Sequence, residues 1–240
     1  SKTKDSVREK STKKRKNLGL RTARENLDDL VDPGSFLEFG AFAVAAQRNR
    51  RDYEELQLET SADGILTGFC NINEDEVGED NSHAAAIIYD YSVLAGSQGF
   101  FHHQKLDRIC EKAEEFSLPV VIFTEGGGGR PGDTDVTTQI AGLHIPSFST
   151  WARLTGKCLK IAVNNGYCFA GNAVLFGCSD FMIATKQSWI GMAGPAMIEG
   201  GGLGVYDAKE IGPAEEQYKN GVLDYLAEDE KEATFIAKKL

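Results

Sequence analysis

An apolar run, Leu118-Pro119-Val120-Val121-Ile122-Phe123-Thr124, leads straight into Glu125-Gly126-Gly127-Gly128-Gly129-Arg130-Pro131-Gly132-Asp133. The run predicts a strand covered on both faces. Consecutive glycines at its end carry an entropic cost that only a need for bare backbone justifies. Without Cβ atoms, their N–H groups can approach a ligand closely. No Gly-Lys-Ser/Thr follows, so the tract is not a phosphate loop. No acidic residue ends a second strand at the distance a dinucleotide fingerprint requires. Two readings remain at this point: an oxyanion pocket made of amides, or a flexible loop.

The surrounding pattern is α/β. Thr22-Ala23-Arg24-Glu25 is a capping box, which predicts a short helix ending before Asp32-Pro33-Gly34. Phe36 to Phe39 reads as a strand and residues 47–63 as a polar surface excursion. Gly64 to Ile72 and Ala84 to Leu94 read as strands separated by an acidic turn at Glu74 to Asn81. Ala95-Gly96-Ser97-Gln98-Gly99 opens a helix whose buried stripe is Leu106, Ile109, Cys110, Ala113 and Phe116. Beyond the glycine tract, Thr134 to Leu143 and Ser147 to Thr155 read as helical pieces. Cys158 to Val163, Asp180 to Ala184, Ser188 to Ile190 and Val222 to Leu226 read as strands. Ala170 to Gly177 and Glu228 to Lys239 read as helices, with a short one near Asp207 to Glu210. Gly191 to Gly204 reads as a mobile loop.

Composition narrows the function. The chain has 240 residues, is 41% apolar and carries a net charge of −10. Residues 1–18 hold eight basic side chains against Asp5 and Glu9, leaving the remainder at −16, which argues against nucleic acid as a partner. No stretch approaches the roughly 20 apolar residues that cross a bilayer, and the start is too charged for a signal peptide. The five cysteines form no CxxC pair and read as reduced core residues of a cytoplasmic protein. The four histidines have no ligand spacing, so no metal is expected.

A second constellation is Asn165-Gly166-Tyr167-Cys168-Phe169-Ala170-Gly171-Asn172-Ala173-Val174, followed by Cys178-Ser-Asp-Phe-Met-Ile-Ala184. It resembles the second oxyanion segment of the crotonase superfamily, where a helix start offers unpaired amides. The positions where hydratases of that superfamily carry carboxylates hold Val174 and Gly194 here, so water addition lacks its proton donor. Residues 19–240 resemble instead the N-terminal half of biotin-dependent acyl-CoA carboxyltransferases, as in acetyl-CoA and propionyl-CoA carboxylases. The likeness rests on Arg21-Thr22-Ala23-Arg24-Glu25, Asp32-Pro33-Gly34-Ser35-Phe36-Leu37-Glu38, Leu94-Ala95-Gly96-Ser97, Met192-Ala193-Gly194-Pro195 and Ala208 to Gly212. The family's Asp-Ser-Gly-Gly-Ala-Arg is here one residue longer to the arginine.

The resemblance implies a crotonase-like (ClpP/crotonase) fold, a stacked ββα superhelix over residues 19–240, with residues 1–18 as a basic linker or disordered start. It implies that a carboxyl group passes from carboxybiotin, carried elsewhere, to the α-carbon of an acyl-CoA. Amides of Gly126, Gly127 and Gly128, and of Gly171 and Asn172, would face the thioester. Gly96, Ser97, Arg130, Tyr167 and Ala170 would bind the acyl-CoA. The implied partners are a C-terminal carboxyltransferase half, a biotin carboxyl carrier, a biotin carboxylase and further copies of the chain. Alternatives are a decarboxylase subunit and a non-catalytic scaffold.

Overall fold

A seven-stranded sheet frames the computed structural model, which describes residues 3–136 and 145–240. The strands are β1 (Leu37–Phe39), β2 (Ile65–Asn71), β3 (His83–Tyr89), β4 (Val120–Phe123), β5 (Lys160–Asn164), β6 (Tyr167–Phe169), β7 (Phe181–Thr185), β8 (Trp189–Gly191) and β9 (Tyr225–Ala227). Their order in the main sheet is β1-β2-β3-β4-β5-β7-β9, and β6 and β8 form a separate parallel pair. β1, β2 and β3 pair antiparallel; from β3 onward the sheet is parallel, with Ile88 beside Phe123 and Phe123 beside Val163.

The helices are α1 (Glu9–Asn17), α2 (Ala23–Leu30), α3 (Tyr53–Glu59), α4 (Glu74–Val77), α5 (Glu79–Ser82), α6 (Phe100–Phe116), α7 (Ser147–Arg153), α8 (Gly171–Gly177), α9 (Pro195–Gly200), α10 (Ala214–Lys219) and α11 (Glu230–Lys239). The sheet divides the core in two because successive side chains of a strand point to opposite faces. Val120 and Ile122 join Leu106, Ile109, Ala113, Trp151 and Phe176, from α6, α7 and α8. Val121 and Phe123 join Leu27, Leu30, Ala233 and Ala237, from α2 and α11. The apolar run before the glycines is thus covered on both faces, as its sequence requires.

The capping box at Thr22 is present in full. Elsewhere the structure departs from the sequence reading. Residues 5–17 form a helical turn and α1, with Arg8 and Arg15 buried against carboxylates, so the start is not a solvated linker. Residues 47–63 include α3 and the buried Gln47, Leu56, Thr60 and Asp63 rather than a wholly polar excursion. Phe116 stays 55% exposed, its ring edge-on to Phe69, because α6 ends there at a left-handed Ser117. Gly78 splits the acidic turn into α4 and α5. β3 stops at Tyr89, where the backbone turns toward left-handed Leu94 and Ala95. The last strand is Tyr225–Ala227, shifted from the expected position. Gly191 to Gly204 contains α9, started by Pro195 in the first turn, where a missing N–H costs nothing. Thr134 and Asp135 are not helical, and residues 137–143 of the helix expected over Thr134 to Leu143 lie outside the described residues.

Candidate active site

Parallel pairing brings the C-terminal ends of β3, β4 and β5 to one edge, where open parallel sheets hold ligands. Each strand there releases a segment of the site: Asp90 to Gly99, Thr124 to Asp133, and Asn165 through α8.

The first two segments touch backbone to backbone. A Cβ on Gly126 would sit 2.1 Å from the Gly96 carbonyl oxygen and 2.3 Å from Asn172 Nδ2, and one on Gly96 would sit 2.2 Å from the Glu125 carbonyl oxygen. No side chain fits at either position, and Gly96 also needs its φ of +62°. The third segment is tied in by the buried Asn172. Its Nδ2 donates to the carbonyls of Thr124 (3.0 Å) and Gly96 (3.4 Å), and its Oδ1 accepts from Gly128 N–H (3.0 Å).

These bonds decide which amides are available. Gly126 N–H donates to Tyr167 O (2.7 Å), Gly127 N–H to Ala95 O (3.1 Å) and Gly128 N–H to Asn172. All three donors expected to line the first oxyanion hole are therefore committed internally. Gly129 is different. Gln98 N–H donates to Gly128 O and Arg130 N–H to Gln98 O, which turns the Gly129 N–H to the opposite side of the strand, where it has no described partner. In the first turn of α8, the N–H groups of Gly171, Asn172 and Ala173 likewise have no described partner, as helix geometry dictates. The tract lies against the start of α8: a Cβ on Gly128 would lie 3.6 Å from Gly171 N and 2.8 Å from Ala170 Cβ. Amides without a partner among the described residues, some of them at the positive start of a helix, can stabilise a developing oxyanion.

The other expected residues divide. Ala170 caps α8 at φ 52°, ψ −121°, a glycine-like conformation held at the site. Tyr167 stacks on Phe169 (5.8 Å) and Trp189 (5.0 Å) as part of an aromatic shelf on the β6–β8 ribbon. Gly96 packs under the tract, and Ser97 Oγ donates to Leu94 O and accepts from Arg130 Nε. Arg130 is buried and paired with Asp63 and Asp133, and its Nη2 donates to Ser97 O (2.7 Å). Its guanidinium is thus consumed by buried carboxylates rather than presented to an anionic ligand. Asp133 also accepts from Phe100 N–H (2.8 Å), so Arg130 locks the far end of the tract to the start of α6.

Sequence reasoning overlooked the carboxylate at the head of the tract. Glu125 is 3% exposed and held by Arg15 through two bonds, 2.9 and 2.8 Å. Burial, added to by Glu230 and Asp90, outweighs Arg15 and pushes its carboxyl up to about 7. A signal was present: an acid between a buried strand and four glycines requires a cation. Nearby, His102 and His103 are held neutral, chiefly by burial and next by Arg130, with His103 brought down to about 4. Among the described residues no group of three or more His, Cys, Asp or Glu side chains could hold a metal ion, and no helix is long and apolar enough to cross a membrane.

Residues 14–240 match the carboxyl transferase domain family. The chain belongs to that family. It is 31% identical over 234 residues to the methylmalonyl-CoA carboxyltransferase 12S subunit of Propionibacterium freudenreichii subsp. shermanii, covering 97% of this chain and 42% of the relative. Among solved structures, a single-chain, multi-domain long-chain acyl-CoA carboxylase superposes with a TM-score of 0.93 at 51% identity, covering 99% of this chain and 23% of that one. The transcarboxylase 12S hexamer, crystallised with hydrolysed methylmalonyl-CoA, gives a TM-score of 0.80 at 30% identity over 96% of this chain and 44% of that one. The chain thus spans about two-fifths of the length of the curated relatives it matches. Its mixed α/β architecture is the crotonase-like one that the two glycine-bearing segments implied.

Proposed function

We propose that this chain is the acyl-CoA-binding half of a biotin-dependent acyl-CoA carboxyltransferase, which moves a carboxyl group from carboxybiotin to the α-carbon of the thioester. One observation carries the reading: the N–H groups of Gly129 and of the first turn of α8 have no described partner, and the tract packs against the start of that helix at Gly128. Removing an α-proton places negative charge on the thioester oxygen. A preorganised amide facing that charge is worth about 3–4 kcal/mol. Biotin, borne on a carrier outside this chain, supplies the carboxyl group and the base when it docks. The chain's own residues hold the thioester: Gly129, Gly171 and Asn172 through their amides, Ala170 by shaping the cap, Tyr167 and Trp189 as a flat wall. The partners in this reading are a C-terminal carboxyltransferase half, a biotin carboxyl carrier and a biotin carboxylase in a cytoplasmic homo-oligomer. A long acyl chain is the finer reading of the substrate. Exposed Met192, Met197, Leu203, Val205 and Tyr206 follow the ribbon that bears the shelf, and the 51%-identical relative is a long-chain acyl-CoA carboxylase.

Gly129 allows a direct test, because a Cβ there meets nothing within 4 Å. In the complete enzyme, Gly129→Ala keeps the donor and is expected to keep kcat. Gly129→Pro removes it and is expected to lower kcat by about 10²–10³-fold. Equal losses in both variants would refute the oxyanion role. Calorimetry with acetyl-, propionyl- and palmitoyl-CoA decides the acyl class.

A further inference from the structure

Glu125 and Arg15 lie at the crossing of segments that the proposed reaction does not use directly. Arg15 comes from α1, is 6% exposed, and also donates through Nε to Arg21 O (2.9 Å). Its Nη2 stands 3.9 Å from Glu230 on α11. Glu230 in turn accepts from Arg21 N–H (2.7 Å), Asn26 Nδ2 (3.1 Å) and Asn165 Nδ2. The Asn165-Gly166 turn closes directly over Glu125: a Cβ on Gly166 would meet Glu125 Oε1 at 2.2 Å. One residue later, Gly126 is stitched to the β6 ribbon on both sides, donating to Tyr167 O and accepting from Phe169 N–H (2.9 Å). The carboxylate therefore fixes where β4 ends relative to the turn that launches β6 and α8.

We infer that Arg15 and Glu125 are a positioning pair, which sets the spacing between the Gly129 donor and the donors of α8. The inference rests on the carboxyltransferase reading. Neither residue touches the thioester, and each acts through the backbone that follows Glu125. Bidentate guanidinium–carboxylate geometry suits this role, since it fixes orientation as well as distance. The groups facing Glu125 are Arg15 from α1, Glu230 from α11, Asp90 and Tyr91 from the segment after β3, and Cys168 from β6. Arg15 is the cation among them, so Glu125 must be ionised to be gripped. Protonation weakens the grip, and losing Arg15 raises the pH at which the proton arrives.

The test uses the complete carboxyltransferase with propionyl-CoA and palmitoyl-CoA as probes, in Arg15→Gln, Arg15→Lys and Glu125→Gln forms. Steady-state rates across pH are combined with amide hydrogen exchange of the tract. Arg15→Gln is expected to lower kcat by about 10²-fold with KM changed less than about threefold, as for a contact felt in the transition state. With no cation left to grip the carboxylate, the acid limb of its pH profile flattens, and exchange across residues 126–129 rises. Arg15→Lys recovers part of the rate, and Glu125→Gln removes the acid limb. The inference is overturned if Arg15→Gln lowers only the melting temperature, leaving the rate per folded site and tract exchange as in the parent. An acid limb retained in Glu125→Gln also overturns it. If the parent enzyme processes neither thioester nor acetyl-CoA, the carboxyltransferase reading fails and exchange alone decides the pair: unchanged exchange in Arg15→Gln sinks it, raised exchange supports it.

Discussion

Asn172 is where the construction of the site can be read as a stability. Asn172→Ala leaves three groups in the core without this partner, the Gly128 N–H (3.0 Å from Oδ1) and the carbonyls of Thr124 (3.0 Å from Nδ2) and Gly96 (3.4 Å). At about 1–3 kcal/mol for each buried unsatisfied group, with partial relaxation of the loop, the expected loss is about 3 kcal/mol. For a chain of 240 residues this lowers the melting temperature by about 6–12 °C. Asn172→Asp makes a sharper test because its shape is unchanged. One of its oxygens still accepts from Gly128 N–H, but the other faces the carbonyls of Thr124 and Gly96, which offer no proton. The native state then favours a protonated side chain, with a pKa above the ordinary value of about 3.9. Between those two values the native state binds more protons than the unfolded one. Stability relative to the parent therefore falls as pH rises through that window, by about 1.4 kcal/mol per unit, and stays low above it. Urea unfolding of both proteins at about pH 4, 6 and 8 measures the difference, at roughly this expected slope. The reasoning fails if Asn172→Asp tracks the parent at every pH, or if Asn172→Ala costs under about 1 kcal/mol.

Burial pushes the thiols of Cys70 and Cys168 up to about 12, and Cys178 is the exposed cysteine. One thiol is therefore expected to react rapidly with a disulfide reagent in the native chain and all five in denaturant; fast labelling of a second native thiol contradicts this. His103, brought down to about 4, binds its proton later than in the unfolded chain, so its contribution to stability is complete above the ordinary histidine range and is lost as pH falls toward 4. His103→Gln should flatten that acid loss, and an unchanged slope in acid unfolding would exclude the histidine. Ala170 sits at φ 52°, ψ −121°, so Ala170→Gly is expected to raise stability by about 1 kcal/mol in thermal unfolding, and a lower melting temperature counts against strain at the cap.

Local signals were legible in the chain, and long-range partnerships were not. The Thr22 capping box, the strand before the glycines, most of the α6 stripe and the last helix each depend on residues a few positions apart. The glycine tract was recognisable as bare backbone for the same reason. Which of its amides are free depends on Asn172, whose Oδ1 meets Gly128 across 44 positions, and on the parallel bridge with Gln98. Neither contact leaves a mark in the tract, so its sequence does not separate Gly126 to Gly128, whose N–H groups are bonded internally, from Gly129, whose N–H has no described partner. Arg130 was misread similarly, since the carboxylate it meets, Asp63, lies 67 positions earlier. α9 did carry a signal, the Gly194-Pro195 start, which the surrounding glycines outweighed.

Two of the eight basic side chains at the start of the sequence are used at the same edge of the sheet. Strands β3 and β4 each deliver an acid just past their C-terminal ends, Asp90 and Glu125, and α11 adds Glu230. Carboxylates in such a place are costly unless each is met by a cation with matching geometry. Arg8 reaches Asp90 at 2.7 Å and Arg15 reaches Glu125 at 2.8 Å, while Arg130 from within the tract meets Asp63. Arginine suits these positions because its planar fork holds a carboxylate in one orientation. The basic start of the chain divides accordingly: Lys10, Lys13, Lys14 and Lys16 face solvent, and the two arginines turn inward. α1 and the turn before it are thus fastened to the segments that leave β3 and β4, Arg8 to Asp90 and Arg15 to Glu125.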